Sequence, residues 1–276
     1  MKAGKSTLAF RLKAVGNPDG KGARMKNFIG KNCVFWLILL MAYSACYSEA
    51  SANQSGKAVL TKTENAQLTY ILPSPKTTGG VSVEEALANR RSHRHFQNRE
   101  LSAEQLSQIL WAAYGITKPM PDRPQLRGGL RTTPAAGALY PLEIYAAVGN
   151  VTGIEPGVYK YISKEHKIIR TIGKDIREEL SAAALGQLMV RDAPVTVVYC
   201  AVFHRIAQKY GERGRERYVL LDLGHSAQNI YLQAEALHIG TCAIGAFKDG
   251  KVSELLQLPT EEEPLYLMPL GYLQAD

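Results

Sequence analysis

Two short strand-like segments, Val158–Ile162 (VYKYI) and Lys167–Ile172 (KIIRTI), flank the polar pair Lys164-Glu165. Such a pattern reads as a β-hairpin, which puts antiparallel pairing into whatever sheet this chain builds. Helical and strand-like segments interleave elsewhere. A doubly wound parallel sheet is thereby excluded. The pattern predicts an α+β fold, with a mixed central sheet flanked by helices.

The remaining elements follow from local signals. Ser82 opens SVEE, a capping box with Glu85, and predicts a helix over Val83–Arg91. Ser102 and Gln105 repeat the device before a helix carrying Leu106, Ile109, Leu110 and Ala113 at helical spacing, stopped by Gly115. Residues 117–133, rich in Pro, Gly and Arg, predict a mobile loop. Strands are expected at Leu142–Val148, after Pro194 (VTVVYCAVF), at Thr241–Ala246 and at Leu265–Leu270. Helices are expected at Asp175–Met189, Arg217–Leu237 and Lys251–Leu256.

The formal charge of +8 is unevenly placed. Residues 1–50 hold eight Lys/Arg against two acidic residues, leaving 25 against 23 in the rest. That near-neutral remainder does not support a nucleic-acid surface. From Met25 the chain reads MKNFIGKN, then CVFWLILLMAYSAC, then YSEASA. A basic start, an apolar core and a small-x-small site near Ala50 make a signal peptide, with Met25 as the start. The apolar run is shorter than the ~20 residues of a membrane span. The expectation is an exported, periplasmic protein without membrane insertion after leader removal. Cys46 offers a lipid anchor as the lesser reading. Residues 51–80 read as a polar tether or extended arm, and 81–276 as the folded domain. No metal site is expected, since Cys200 and Cys242 lack ligand spacing.

Four features carry chemistry. Arg90, Arg91, Ser92 and Arg94 crowd the end of the first helix, where cations are favoured in any case. Three guanidiniums and a hydroxyl also match a phosphate, whose oxygens accept from arginine forks. Ala136, Gly137 and Ala138 lie in PAAGALYP, small residues that let backbone N–H groups approach a flat ligand, or simply a plain loop. Lys209 and Tyr210 are candidate proton donors or acceptors, or else a surface lysine beside a packed tyrosine. Gly245 and Ala246 end a strand in IGAF. On the long helix, His225, Gln228 and Asn229 read as its wet face or as interface residues.

Together these features resemble the nitroreductase superfamily, and GALYPLE with the GHSAQN helix resembles its SagB-type dehydrogenase branch. RRSHRHF, LWAAYGIT, PAAGALYPLEIY, the APV strand, KYGER, DLGHSAQNIYLQA, IGAF and PLGY occur in the family's order over Val83–Leu273. The resemblance implies a homodimer holding FMN at its interface, with hydride passing through flavin N5 to or from a small organic substrate. NAD(P)H is the implied electron donor. Arg90, Arg91, Ser92 and Arg94 would hold the phosphate. Ala136, Gly137 and Ala138, from the other subunit, would face the ring and ribityl chain. Gly245, Ala246 and Gln187 would lie near the ring. Lys209 and Tyr210 would be catalytic, as the Lys-Tyr pair of azoline-oxidising members is. Azoline oxidation on a modified peptide and non-catalytic flavin binding are the competing readings. No basic residue follows the last strand to complete the phosphate site, which leaves that work to the three arginines.

Overall fold

The computed structural model describes residues 59–62 and 68–274. The signal peptide, its start at Met25, Cys46 and the cleavage site lie outside the described residues. In chain order the elements are β1 Val59–Lys62, β2 Leu68–Ile71, α1 Val83–Asn89, α2 Ala103–Tyr114, β3 Ile116–Pro119 and β4 Gly129–Arg131. After these come β5 Leu142–Val148, β6 Gly157–Ile162, β7 Lys167–Ile172, α3 Arg177–Ala183, α4 Leu188–Asp192 and β8 Val195–Ala201. Helix α5 His204–Arg213, a π turn at Gly214–Tyr218, α6 Val219–Ala236, β9 Gly240–Thr241, α7 Asp249–Leu256 and β10 Glu263–Gly271 complete it.

Eight strands form one sheet in the order β1-β2-β7-β6-β5-β8-β10-β9. The fold is α+β, as expected, but the sheet is not mixed. Every neighbouring pair is antiparallel, including the central β5–β8 and β8–β10 pairs. Helical excursions, like the hairpins, return the chain beside a strand of opposite sense. Strand β8 is buried along its whole length, with Val197, Val198 and Tyr199 fully covered. Helices α2 and α6 pack together against one face of the sheet, over Leu106, Leu110, Tyr199 and Ile230. The other face is covered by α3, α4 and α7 around Leu180, Val190 and Val252.

Local expectations fared unevenly. The capping box at Ser102 is present, its hydroxyl accepting from Gln105 N–H at 3.2 Å and Gln105 Oε1 from Ser102 N–H at 2.9 Å. The arm over 51–80 instead contributes β1 and β2, because Leu68, Tyr70 and Leu72 are buried and pair the segment with β7. The 117–133 loop is a hairpin, β3 against β4. Gly129, at φ +150°, permits its close turn: a Cβ there would lie 2.2 Å from Lys118 O. The helix expected over Asp175–Met189 breaks at Leu185 and Gly186, both at positive φ. The strand expected over Thr241–Ala246 shortens to Gly240–Thr241 plus a bridge at Ile244. Helix α5, strongly polar along its length, was not expected.

Candidate active site

The arginine cluster begins where α1 stops. Ser82 caps its start, accepting from Glu85 N–H at 3.0 Å. At Arg90 the backbone turns extended and carries Arg91, Ser92 and Arg94 out along the surface. The three guanidiniums do not converge. That of Arg90 stands over the Tyr231 ring, 5.4 Å from its centroid. Arg91 folds back, its Nη1 donating to Ala88 O at 3.1 Å and Arg90 O at 2.8 Å. Carbonyls at a helix end lack intrahelical partners, so this is ordinary capping. Arg94 Nη1 lies 3.5 Å from Ser92 O. No carboxylate stands within ion-pair distance of any of the three among the described residues.

Tyr231, which the sequence reading missed, organises this end of the site. Its hydroxyl is 3.1 Å from Ser92 Oγ and accepts from Ala243 N–H at 2.8 Å. The arginine turn is thereby joined to the loop carrying Gly245 and Ala246, both exposed. Gln187 joins the same loop, its Nε2 donating to Ala246 O at 3.0 Å and to Ala184 O at 2.9 Å. A tyrosine at mid-helix gives no signal by sequence spacing, which is why it escaped notice.

A second cluster surrounds the small-residue turn. Gly137 (φ +61°), Ala138 (φ +54°) and Tyr140 (φ +48°) are all left-handed. For residues other than glycine this costs about 1–2 kcal/mol each. The surrounding structure holds the turn in place. Asp222, only 3% exposed, accepts from Ala136 N–H through both oxygens at 3.3 Å. Burial lifts its carboxyl to about 6, against the lowering pull of Ala136 N–H and His225. Asn229 Nδ2 donates to Thr132 O, Thr133 Oγ1 and Ala112 O. Asp222, Ser226 and Asn229 therefore face inward from α6, whereas His225 and Gln228 are exposed.

Lys209 and Tyr210 meet this turn from α5. A Cβ on Gly137 would lie 2.7 Å from the Tyr210 hydroxyl and 3.3 Å from Lys209 Nζ. Only a glycine lets the backbone approach them so closely. The Lys209 ammonium stands 5.3 Å from the centre of the Tyr210 ring. That ring packs edge-on to Tyr218, centroids 5.2 Å apart, across the π turn. Single π turns inside helices recur at functional sites.

One chain does not bring the two clusters together. Asp222 and Tyr231 are nine residues apart on α6, roughly 13 Å along its axis and half a turn around it. The exposed cationic turn and the turn against Lys209 and Tyr210 thus stand as two separate groups of polar side chains along α6.

The chain belongs to the Nitroreductase family, whose profile matches residues 87–272. It is an oxidoreductase of that family. It is 43% identical over 191 residues to a protein of Methanocaldococcus jannaschii provisionally named a nitroreductase, covering 69% of this chain and 91% of that one. A crystal structure of a Ralstonia eutropha protein, also provisionally named a nitroreductase, superposes with a TM-score of 0.64 at 26% identity. It covers 80% of this chain and 95% of that one. The trifolitoxin operon protein TfxC of Rhizobium leguminosarum is 24% identical over 208 residues, 73% of this chain and 58% of that relative.

Proposed function

We propose that this protein is an FMN-dependent oxidoreductase acting as a homodimer on a small organic substrate, of the SagB-type branch. One observation carries the reading. Three arginines with no ion-pair partner among the described residues flank Ser92 in sequence on an exposed turn that Tyr231 ties to a second exposed loop. The Glu235 carboxylate accepts from the Arg91 backbone N–H at 3.3 Å but forms no ion pair with the guanidiniums, so a dianionic phosphate would supply their counter-charge once Arg91 leaves its two carbonyls and the three side chains turn toward it. The family membership supports the same cofactor.

Separation of the two clusters along α6 supports a dimer, in which the turn from one protomer faces the arginine cluster of its partner. Val83 and Leu87 on α1, and Leu220 and Leu221 on α6, are each at least 50% exposed, an apolar surface suited to that contact. Arg90, Arg91, Ser92 and Arg94 would hold the phosphate, and Ala136, Gly137 and Ala138 would bound the ring. Gly245 and Ala246 would offer N–H groups, with Gln187 fixing their loop. When bound, the flavin supplies hydride transfer at its ring nitrogen N5, with NAD(P)H as donor. Tyr210 would move the coupled proton at its hydroxyl, with the Lys209 ammonium beside its ring. The leader would take the protein out of the cytoplasm.

The likeness to TfxC favours a second reading, azoline oxidation on a modified peptide. Purified full-length protein tests both. The flavin reading expects yellow protein that bleaches with reduced nicotinamide and recovers with a quinone or nitroaromatic acceptor. Bleaching of the oxidised flavin by a thiazoline peptide, which gives up two electrons on becoming a thiazole, with recovery in dioxygen, supports the second reading. Flavin without turnover leaves a binding protein, and a colourless preparation that takes up no FMN refutes all three.

A further inference from the structure

We infer that the cleft between the β3–β4 hairpin and the β6–β7 turn binds a small organic carboxylate with an apolar body, away from both clusters described above. Two adjoining chambers form it. The larger encloses about 760 Å³, with walls from Trp111, Ile116, Met120 and the prolines at 75, 119 and 124. That is the size of a small-molecule pocket, and its apolar walls favour an apolar body. The smaller encloses about 150 Å³ beside Arg131, Glu143 and Tyr161. Arg127, Ser163 and Lys164 line both. No lining residue belongs to the Arg90–Tyr231 or the Asp222–Tyr210 group.

Charge sets the ligand's orientation. Arg127, Arg131 and Lys164 face the small chamber, opposed there by Glu143 alone. Glu143 is already met by Lys160 at 3.2 Å and Arg205 at 2.6 Å, besides Arg127 at 3.3 Å. Lys164 has no ion-pair partner among the described residues. Arg131 Nη1 serves Tyr114 O and Nη2 serves Arg127 O, and its guanidinium lies over the Tyr114 ring, 4.4 Å from its centroid. The Lys164 ammonium is therefore the cation left to meet a carboxylate, by a charge-assisted bond. Burial holds both arginines below their usual range. Burial lowers the His166 imidazole from its usual range, and its nitrogens are engaged by Tyr161, Ser107 and Pro73 O. The small chamber has room for little beyond the carboxylate, so the body must lie against Trp111. Gly128, at φ +110°, fits the hairpin onto the Lys164 stem, where a Cβ would be 3.3 Å from Lys164 Cβ and Cγ.

Trp36 and Trp111 are the protein's two tryptophans. In full-length Trp36→Phe protein, 4-phenylbutyrate should change Trp111 emission saturably. Its neutral amide should bind about tenfold more weakly, as for loss of one charge-assisted hydrogen bond. Lys164→Met should weaken the acid about tenfold as well and leave the amide unchanged. Saturating FMN should not compete. No saturable change, equal affinity for acid and amide, an acid affinity that survives Lys164→Met, or competition with FMN would each overturn the site.

Discussion

Asp222→Asn isolates the buried charge beneath the left-handed turn. Burial raises this carboxyl from an ordinary 3.8 to about 6. The folded protein therefore holds the proton more tightly than the unfolded chain does. Stability falls as pH climbs from about 4 to 6, and the deficit levels off near 3 kcal/mol above that. Asparagine cannot ionise, and it keeps one oxygen to accept from Ala136 N–H. The variant should match the wild type below pH 4 and be up to about 3 kcal/mol more stable at pH 8. For a domain of this size that is roughly 6–12 °C in melting temperature. Circular-dichroism melts at steps from pH 4 to 8 measure the difference directly. The turn also loses its anionic acceptor, so flavin occupancy at pH 8 should fall by about threefold to tenfold, the worth of such a bond. A melting difference that does not vary with pH, or a variant less stable than wild type at pH 8, would refute the claim that an ionised Asp222 is buried there.

Three further outcomes follow from the same geometry. Gly137→Ala should destabilise by about 1–2 kcal/mol through its left-handed backbone and cut turnover by displacing Tyr210; unchanged melting and kinetics would contradict the contact. Tyr231→Phe removes the hydroxyl shared by Ser92 and Ala243 and should weaken flavin binding by about threefold to tenfold, read by fluorescence titration. Lys209→Ala should abolish turnover while flavin stays bound, and full activity in that variant would remove the pair from the chemistry.

Most of the fold was legible because strand and helix periods and the caps at Ser82 and Ser102 are local. The errors fall where local pattern loses to tertiary contact. Residues 68–72 look like part of a polar arm, yet Leu68, Tyr70 and Leu72 find cover against the sheet. The Pro- and Gly-rich stretch looks mobile, yet its two sides pair as β3 and β4. The motifs named the arginines, the small-residue turn and the Lys-Tyr pair without saying which of them meet.

By itself, then, the sequence determined the α+β class, the boundaries of the central strands and the residue types of both clusters, since these depend on neighbours a few positions apart. Only the tertiary structure decided that Gly137 lies against Tyr210 and that Tyr231 couples Ser92 to Ala243. Tertiary structure also decided that Asp222 anchors the turn and that the two clusters stand about two and a half helix turns apart on α6. Those contacts join residues from about 12 to 140 positions apart in the chain, and packing of α6 against its neighbours, which no local signal encodes, is what brings them into reach.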